Sequence, residues 1–217
     1  MTERTYGGVS ADQRRDQRRR RLLDAGAELV REHGLSGTSY RGVCRAAGLT
    51  ERYFYESFAS VDELLVALFE EEIATTVGVV MTAVASASGS PQDAVAAAVG
   101  SFVDQVSDDR LLSRFLVESA AHPVLRAHRR TTIATFSDLA VQTGQAFARE
   151  PISAEQDRRS RRASMIIAAG FNELLTEWID GRVDATRDEI VADTVELYFA
   201  AIEHYGTVRS DTSAGHD

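Results

Sequence analysis

Residues 34–50 read GLSGTSYRGVCRAAGLT and run on as ERYFYESF to Phe58. Two segments, 40–47 and 50–57, flank Gly48-Leu49, a spacing too tight for anything but two small helices turning sharply on one another. Val43, Ala46, Ala47, Leu49, Phe54 and Phe58 supply the apolar side of the pair, while Arg41 and Arg45, four apart, share one outer face from which both can reach the same phosphate backbone. Thr50 caps the second segment, so Glu51, Arg52 and Tyr53 would enter a major groove first, where base edges are read. Arg52 is the leading base reader, at a guanine. Tyr53 and Tyr55 offer hydroxyls for phosphate and ring area for a thymine methyl; Thr38, Ser39 and Ser57 can donate to phosphates from their turns, and Tyr40 joins this DNA-contacting set. Tyr55 and Phe58 can also be read as core aromatics of a small helical domain, a reading preferred for Phe58 and not for Tyr55.

Working outward, the polar, Gly-containing residues 1–11 read as a flexible arm. A helix over 12–33 follows, with Leu22, Gly26, Leu29 and Val30 on one face and Gly34 ending it. Its arginine-rich run, 14–21, can be a DNA contact or a solvated helix face. Downstream, Ser60 with Glu63 forms a capping box that opens a longer helix carrying Leu64, Leu65, Leu68 and Phe69 at helical spacing. Further helices are expected over 92–106, 110–120, 124–149, 154–180 and 186–205, with Pro123, Pro151 and Gly181 at junctions. The expectation is an all-α chain of about nine helices: the arm, a three-helix helix-turn-helix domain over 12–60, a larger helical domain over 61–206 and a disordered tail over 207–217. In the last helix Ile190, Val191, Val195, Leu197, Tyr198, Ala201, Ile202 and Tyr205 spread over more than one stripe, which suits a helix packed both on its own core and on a second copy of the chain. Homodimerisation through the last two long helices follows.

Composition agrees with helix: three prolines in 217 residues and 44% apolar residues. The formal charge of −9 is unevenly spread. Residues 1–60 hold 11 Arg against 8 acids, or +3, and the rest hold 13 Arg against 25 acids, or −12: a basic head suited to a polyanion and an acidic body repelled by one. A single cysteine, Cys44, excludes an internal disulfide and is read as a small core residue; with no basic-then-apolar leader, the cytoplasm is the expected compartment. The longest uncharged run, 73–92, carries Thr75, Thr76, Thr82, Ser86, Ser88, Ser90 and Pro91, so no membrane span is expected. No Gly-rich phosphate loop, nucleophile elbow, acid/base pair or metal-ligand spacing is found, and the chain is not read as an enzyme. Phe102, Phe115, Phe136, Phe171 and Trp178 can wall an apolar cavity or simply be core; His122 sits at a helix junction, and Asn172, Glu173 and Glu177 interrupt an apolar helix, facing either a ligand or water.

The combined spacing of Gly34, Thr38, Ala47-Gly48, Tyr55, Phe58 and Leu64 resembles the N-terminal signature of TetR-family (tetracycline-repressor-type) regulators over residues 12–69. Beyond residue 70 the likeness is one of helix count and length. The resemblance implies an Ω-shaped homodimer on double-stranded DNA, a short third helix as the reader, a dimerisation bundle from the last two helices and a cavity in the acidic body for an effector, taken as small and apolar or amphipathic. No cofactor is expected. The resemblance also implies a phosphate contact at Tyr55 and another from a lysine near the start of the fourth helix; that position here is Val61, and the 14–21 arginines are candidates to replace it. The expected function is ligand-released repression from a palindromic operator, with activation or a helical protein-interaction module as alternatives.

Overall fold

The computed structural model describes residues 10–146 and 153–205, and among them nine α-helices and no strand. They are α1 (Ala11–Gly37), α2 (Tyr40–Ala47), α3 (Glu51–Tyr55), α4 (Val61–Ser86), α5 (Pro91–Asp108), α6 (Arg110–Glu118), α7 (Leu125–Ala146), α8 (Ala154–Ile179) and α9 (Arg187–Tyr205). The expected tail, the first nine residues of the expected arm and Pro151 lie outside the described residues. Two compact units form, Met1–Glu72 and Ile73–Asp217, and the division falls within α4.

In the first unit, α1 begins one residue ahead of expectation because Ser10 and Gln13 close a capping box: the Gln13 amide donates to Ser10 Oγ at 3.0 Å and the Ser10 amide to Gln13 Oε1 at 2.8 Å. Gly34 interrupts α1 with φ 73° and ψ 179°, a conformation that costs a glycine little; one further turn follows to Gly37. Ser39 caps α2, accepting from the Gly42 amide, and Gly48 ends it in the left-handed region at φ 61°. The Arg21 guanidinium donates to the Ala47 carbonyl, placing a cation where the carbonyls of α2 are left over. Leu22, Val30, Val43, Phe54, Phe58 and Leu64 make the core, each 1% exposed or less, with about 1.5–3 kcal/mol gained on burying each large apolar side chain. Cys44 is buried with them, and Leu49 is half-buried. Ala46, expected on the apolar side, is exposed: α2 turns it outward beside Arg45. The Ser60–Glu63 pair holds with a shift, since the Glu63 amide donates to Ser60 Oγ at 3.2 Å while Glu63 accepts from the Ala59 amide and not from Ser60.

Side-chain caps open four helices of the second unit. Ser90–Asp93, with Pro91 opening the helix, caps α5; Asp109 caps α6; Ser153–Gln156 caps α8; and Thr186–Glu189 caps α9. Val103 and Val106 of α5, Leu112 and Leu116 of α6, Leu175 of α8 and Ile190 of α9 form the main core, and Phe102, Phe171 and Trp178 pack against it half-buried. A second cluster joins Val95 to Tyr198, Phe199 and Ile202. Arg187 clamps α9 onto α5, its Nε and Nη2 donating to the two oxygens of Asp104 at 2.8 and 2.9 Å. Along α7 and α8 the pairs Arg129–Asn172, Asp138–Arg161 and Gln145–Asp157 rise on one helix as they fall on the other, which makes the two antiparallel. Among the described residues no helix is long and apolar enough to cross a membrane.

Candidate functional site

The exposed side of α2 and α3 gathers most of the polar residues expected to meet DNA. Arg41, Arg45, Glu51, Arg52 and Tyr55 are exposed; Tyr53 stands at the edge of exposure and Tyr40 is half-buried. The rings have an ordered footing: Tyr55 lies edge-on to the buried Phe54 at 5.5 Å and 5.9 Å from Tyr40. Phe58 is core, as read, whereas Tyr55 is 54% exposed. Arg41 donates from Nε to the Tyr40 hydroxyl at 2.9 Å and faces Glu51 at 3.9 Å; the Tyr40 bond is the larger cause of its raised pKa.

The Arg52 side chain is 85% exposed. Its Nε donates to Glu56 Oε1 at 3.0 Å, one turn on, so the carboxylate holds the stem while both terminal nitrogens stay available for a two-pronged contact such as the O6/N7 edge of guanine. Glu56 was not among the expected site residues. Its other carboxylate oxygen lies 3.8 Å from Arg18, its carbonyl accepts from Arg15 at 3.5 Å, and Arg18 stacks over the Tyr53 ring at 4.6 Å. A single acid thus joins α1 to the exposed end of α3, which the i, i+4 spacing from Arg52 could have signalled.

Three hydroxyls differ from expectation. Thr38 is buried and donates to the Gly34 carbonyl at 3.0 Å, and Ser57 donates to the Tyr53 carbonyl at 3.1 Å, so both hydrogens serve the local turns in this structure. Thr50 occupies the cap position of α3 without a side-chain cap bond, which leaves its exposed hydroxyl free, as Ser39, an acceptor in its own cap, remains free to donate. The arginine run is largely exposed and also makes contacts within the first unit. Besides Arg15, Arg18 and Arg21, Arg19 lies over the Phe58 ring at 4.8 Å, and Arg20 pairs with Asp24 and Glu71, each at 2.8 Å. These residues brace the domain from outside.

In the second unit, Phe102 meets Phe136 at 5.4 Å and Phe171 at 5.9 Å, uniting α5, α7 and α8 in one aromatic cluster. The other expected pocket residues have partners or packing of their own. Phe115 is core at 1% exposure; Trp178 donates its indole N–H to Ala185 at 2.7 Å, tying the turn between α8 and α9; and His122 Nδ1 accepts from the Leu125 amide at 3.4 Å where α7 starts. Asn172 does face another residue, its Oδ1 accepting from Arg129 Nη2. Glu173 is exposed and 3.6 Å from the same guanidinium, and Glu177 accepts from Arg182, which holds its carboxyl below the usual range. Arg129 went unnoticed in the sequence because a basic residue in a helix with arginine neighbours looks like an ordinary solvated one.

Residues 22–68 match the model of the bacterial regulatory proteins of the tetR family. The chain is 24% identical over 202 residues, 90% of its own length and 88% of the relative's, to the HTH-type transcriptional activator FasR of Mycolicibacterium smegmatis. Among solved structures it resembles the fatty acid degradation regulator FadR of Bacillus halodurans, with a TM-score of 0.65, 18% identity, and 88% of this chain and 96% of that one covered. It also resembles AibR, solved with isovaleryl coenzyme A and operator DNA, with a TM-score of 0.58, 18% identity and coverage of 84% and 98%. At such identity the structural likenesses speak for the fold alone. With the matched segment spanning α2, α3 and the packing ends of α1 and α4, the chain carries the DNA-binding domain of the tetR family of bacterial regulatory proteins.

Proposed function

We propose that the chain acts as a homodimer that represses transcription from a near-palindromic operator and lets go when a small apolar or amphipathic effector binds its second unit. The observation that carries the DNA reading is Arg52, standing clear of the domain with its terminal nitrogens unspent while Glu56 fixes its stem. Two such readers in a dimer would meet half-sites about 34–36 Å apart or a multiple of that. Support for dimerisation comes from α8, where Met165, Ile166, Ala169 and Gly170 form an exposed apolar stripe, and from α9, where Leu197 is 58% exposed. An effector releases DNA only by binding the DNA-free state more tightly, and the half-buried aromatic cluster of Phe102, Phe136 and Phe171 supports an apolar site for it. Two structurally similar proteins, the fatty acid degradation regulator FadR and AibR, the latter solved with isovaleryl coenzyme A, favour an acyl effector.

Activation is the second reading, favoured by the name of the relative FasR. One experiment addresses both: the protein is titrated against DNA flanking its own gene and against random DNA at several salt concentrations, and transcription from the bound promoter is then measured. Tight, salt-dependent, selective binding with less transcript supports repression, and more transcript supports activation. Binding no tighter than to random DNA, across flanking and genome-selected fragments alike, sinks both.

A further inference from the structure

We propose that the effector is an amphipathic carboxylate whose anion is held by Arg129 and whose apolar part lies on the cluster of Phe102, Phe136 and Phe171; its regulatory meaning rests on the reading just given. The Arg129 side chain is 18% exposed, an uncommon place for a guanidinium. One terminal nitrogen, Nη2, carries both of its contacts, to neutral Asn172 and to Glu173. Its Nε is buried and has no hydrogen-bond partner. A buried donor left unmatched is costly, and a cation is more so. Glu173 is 65% exposed and 3.6 Å away, so water screens this carboxylate, the one charge paired with the guanidinium among the described residues. A carboxylate approaching from the Nε side would supply both the missing acceptor and the missing charge, in the geometry that guanidinium groups favour.

The apolar half of the ligand is placed by the helices. Phe171 precedes Asn172 on α8, so one end of the aromatic cluster lies at the level of Arg129. Phe136 follows Arg129 by seven residues on α7, two turns along the same face, at a separation of about 10 Å. Phe102 of α5 touches both rings and bridges that span. Charge at one end and rings along the remainder select a chain several carbons long ending in an anion, and disfavour both a short acid and a neutral alcohol.

The test is calorimetric titration of the full chain with octanoate, 1-octanol and acetate. Octanoate is expected to bind at least tenfold more tightly than either. Arg129→Met should abolish the preference for octanoate over octanol, and Phe102→Ala should weaken both together. Because Arg129→Met removes a half-buried side chain, Asn172→Asp provides the second variant: it gives Arg129 a permanent internal carboxylate, keeps its packing, and should cut octanoate affinity about tenfold at an unchanged melting temperature. Octanoate binding no better than octanol or acetate, or a preference that survives both variants, overturns the proposal. Titration of the same proteins against flanking DNA separates the two readings: carboxylate preference without DNA selectivity sinks the regulator alone, and DNA selectivity without carboxylate preference sinks this site alone.

Discussion

Arg52 and Tyr198 show how differently single side chains contribute. Arg52 is held by one exposed carboxylate and touches no core, so Arg52→Ala should leave the melting temperature unchanged while costing about 1–3 kcal/mol of DNA affinity at one base position and relaxing selectivity there. Competition binding with operator variants measures this, and uniform weakening on every sequence would mean that Arg52 holds phosphate. Tyr198 is 4% exposed, its hydroxyl donates to the Ala140 carbonyl at 2.6 Å, and burial pushes its pKa up to about 12. The folded state therefore keeps the phenol protonated where an unfolded chain, with a pKa near 10, begins to lose it. That stability is fully present below about pH 10 and is lost as pH rises toward 12, by about 2–3 kcal/mol. Tyr198→Phe should cost about 1 kcal/mol at neutral pH and flatten this alkaline fall; urea melts of both proteins at pH 9 and 11.5 check it, and parallel losses would refute it.

At the scale of elements, close approach of α1 and α4 is the feature most exposed to disturbance. A side chain at Gly26 would begin 2.7 Å from a methyl of Leu64, which is itself fully buried. Gly26→Val is therefore expected to destabilise by about 1–3 kcal/mol despite the better helix propensity of valine over glycine, read as a lower denaturation midpoint with an unchanged slope. The two apolar faces were legible beforehand, because Leu22 with Gly26 and Leu64 with Leu68 recur at helical spacing, but their meeting was not. Every expected helix is present, with ends displaced by a few residues where a cap decides them: Ser10 starts α1 early, and α6 stops at Glu118. The polar ends of side chains were harder to read. Thr38 and Ser57 turn their hydroxyls back to carbonyls one turn away, an option open to any helical Ser or Thr and unmarked by neighbours. Arg21 finds Ala47 across 26 positions of chain, and Arg129 finds Asn172 across 43; no local pattern announces either.

For the molecule as a whole, the exposed apolar stripe on α8 separates folding from association. The space beside Gly170 is open, and Ile166 is 73% exposed, so Ile166→Asp with Gly170→Arg should leave the helical signal and melting of the single chain intact while halving the mass in sedimentation. Selective DNA affinity should fall with it; an unchanged mass would place the contact between copies elsewhere. The Arg187–Asp104 clamp has a consequence for synthesis. It joins residues 83 positions apart, whereas the bonds that organise the DNA-reading helices are closed within the first 72 residues. At about 5–20 residues per second, α5 emerges on the order of ten seconds before the strand of chain that clamps it. During that interval the nascent protein can carry a folded reader and a body whose Val103 and Val106 still lack Ile190, so a chain cut short before α9 would be a sticky monomer, sent to chaperones and proteases before it could occupy an operator.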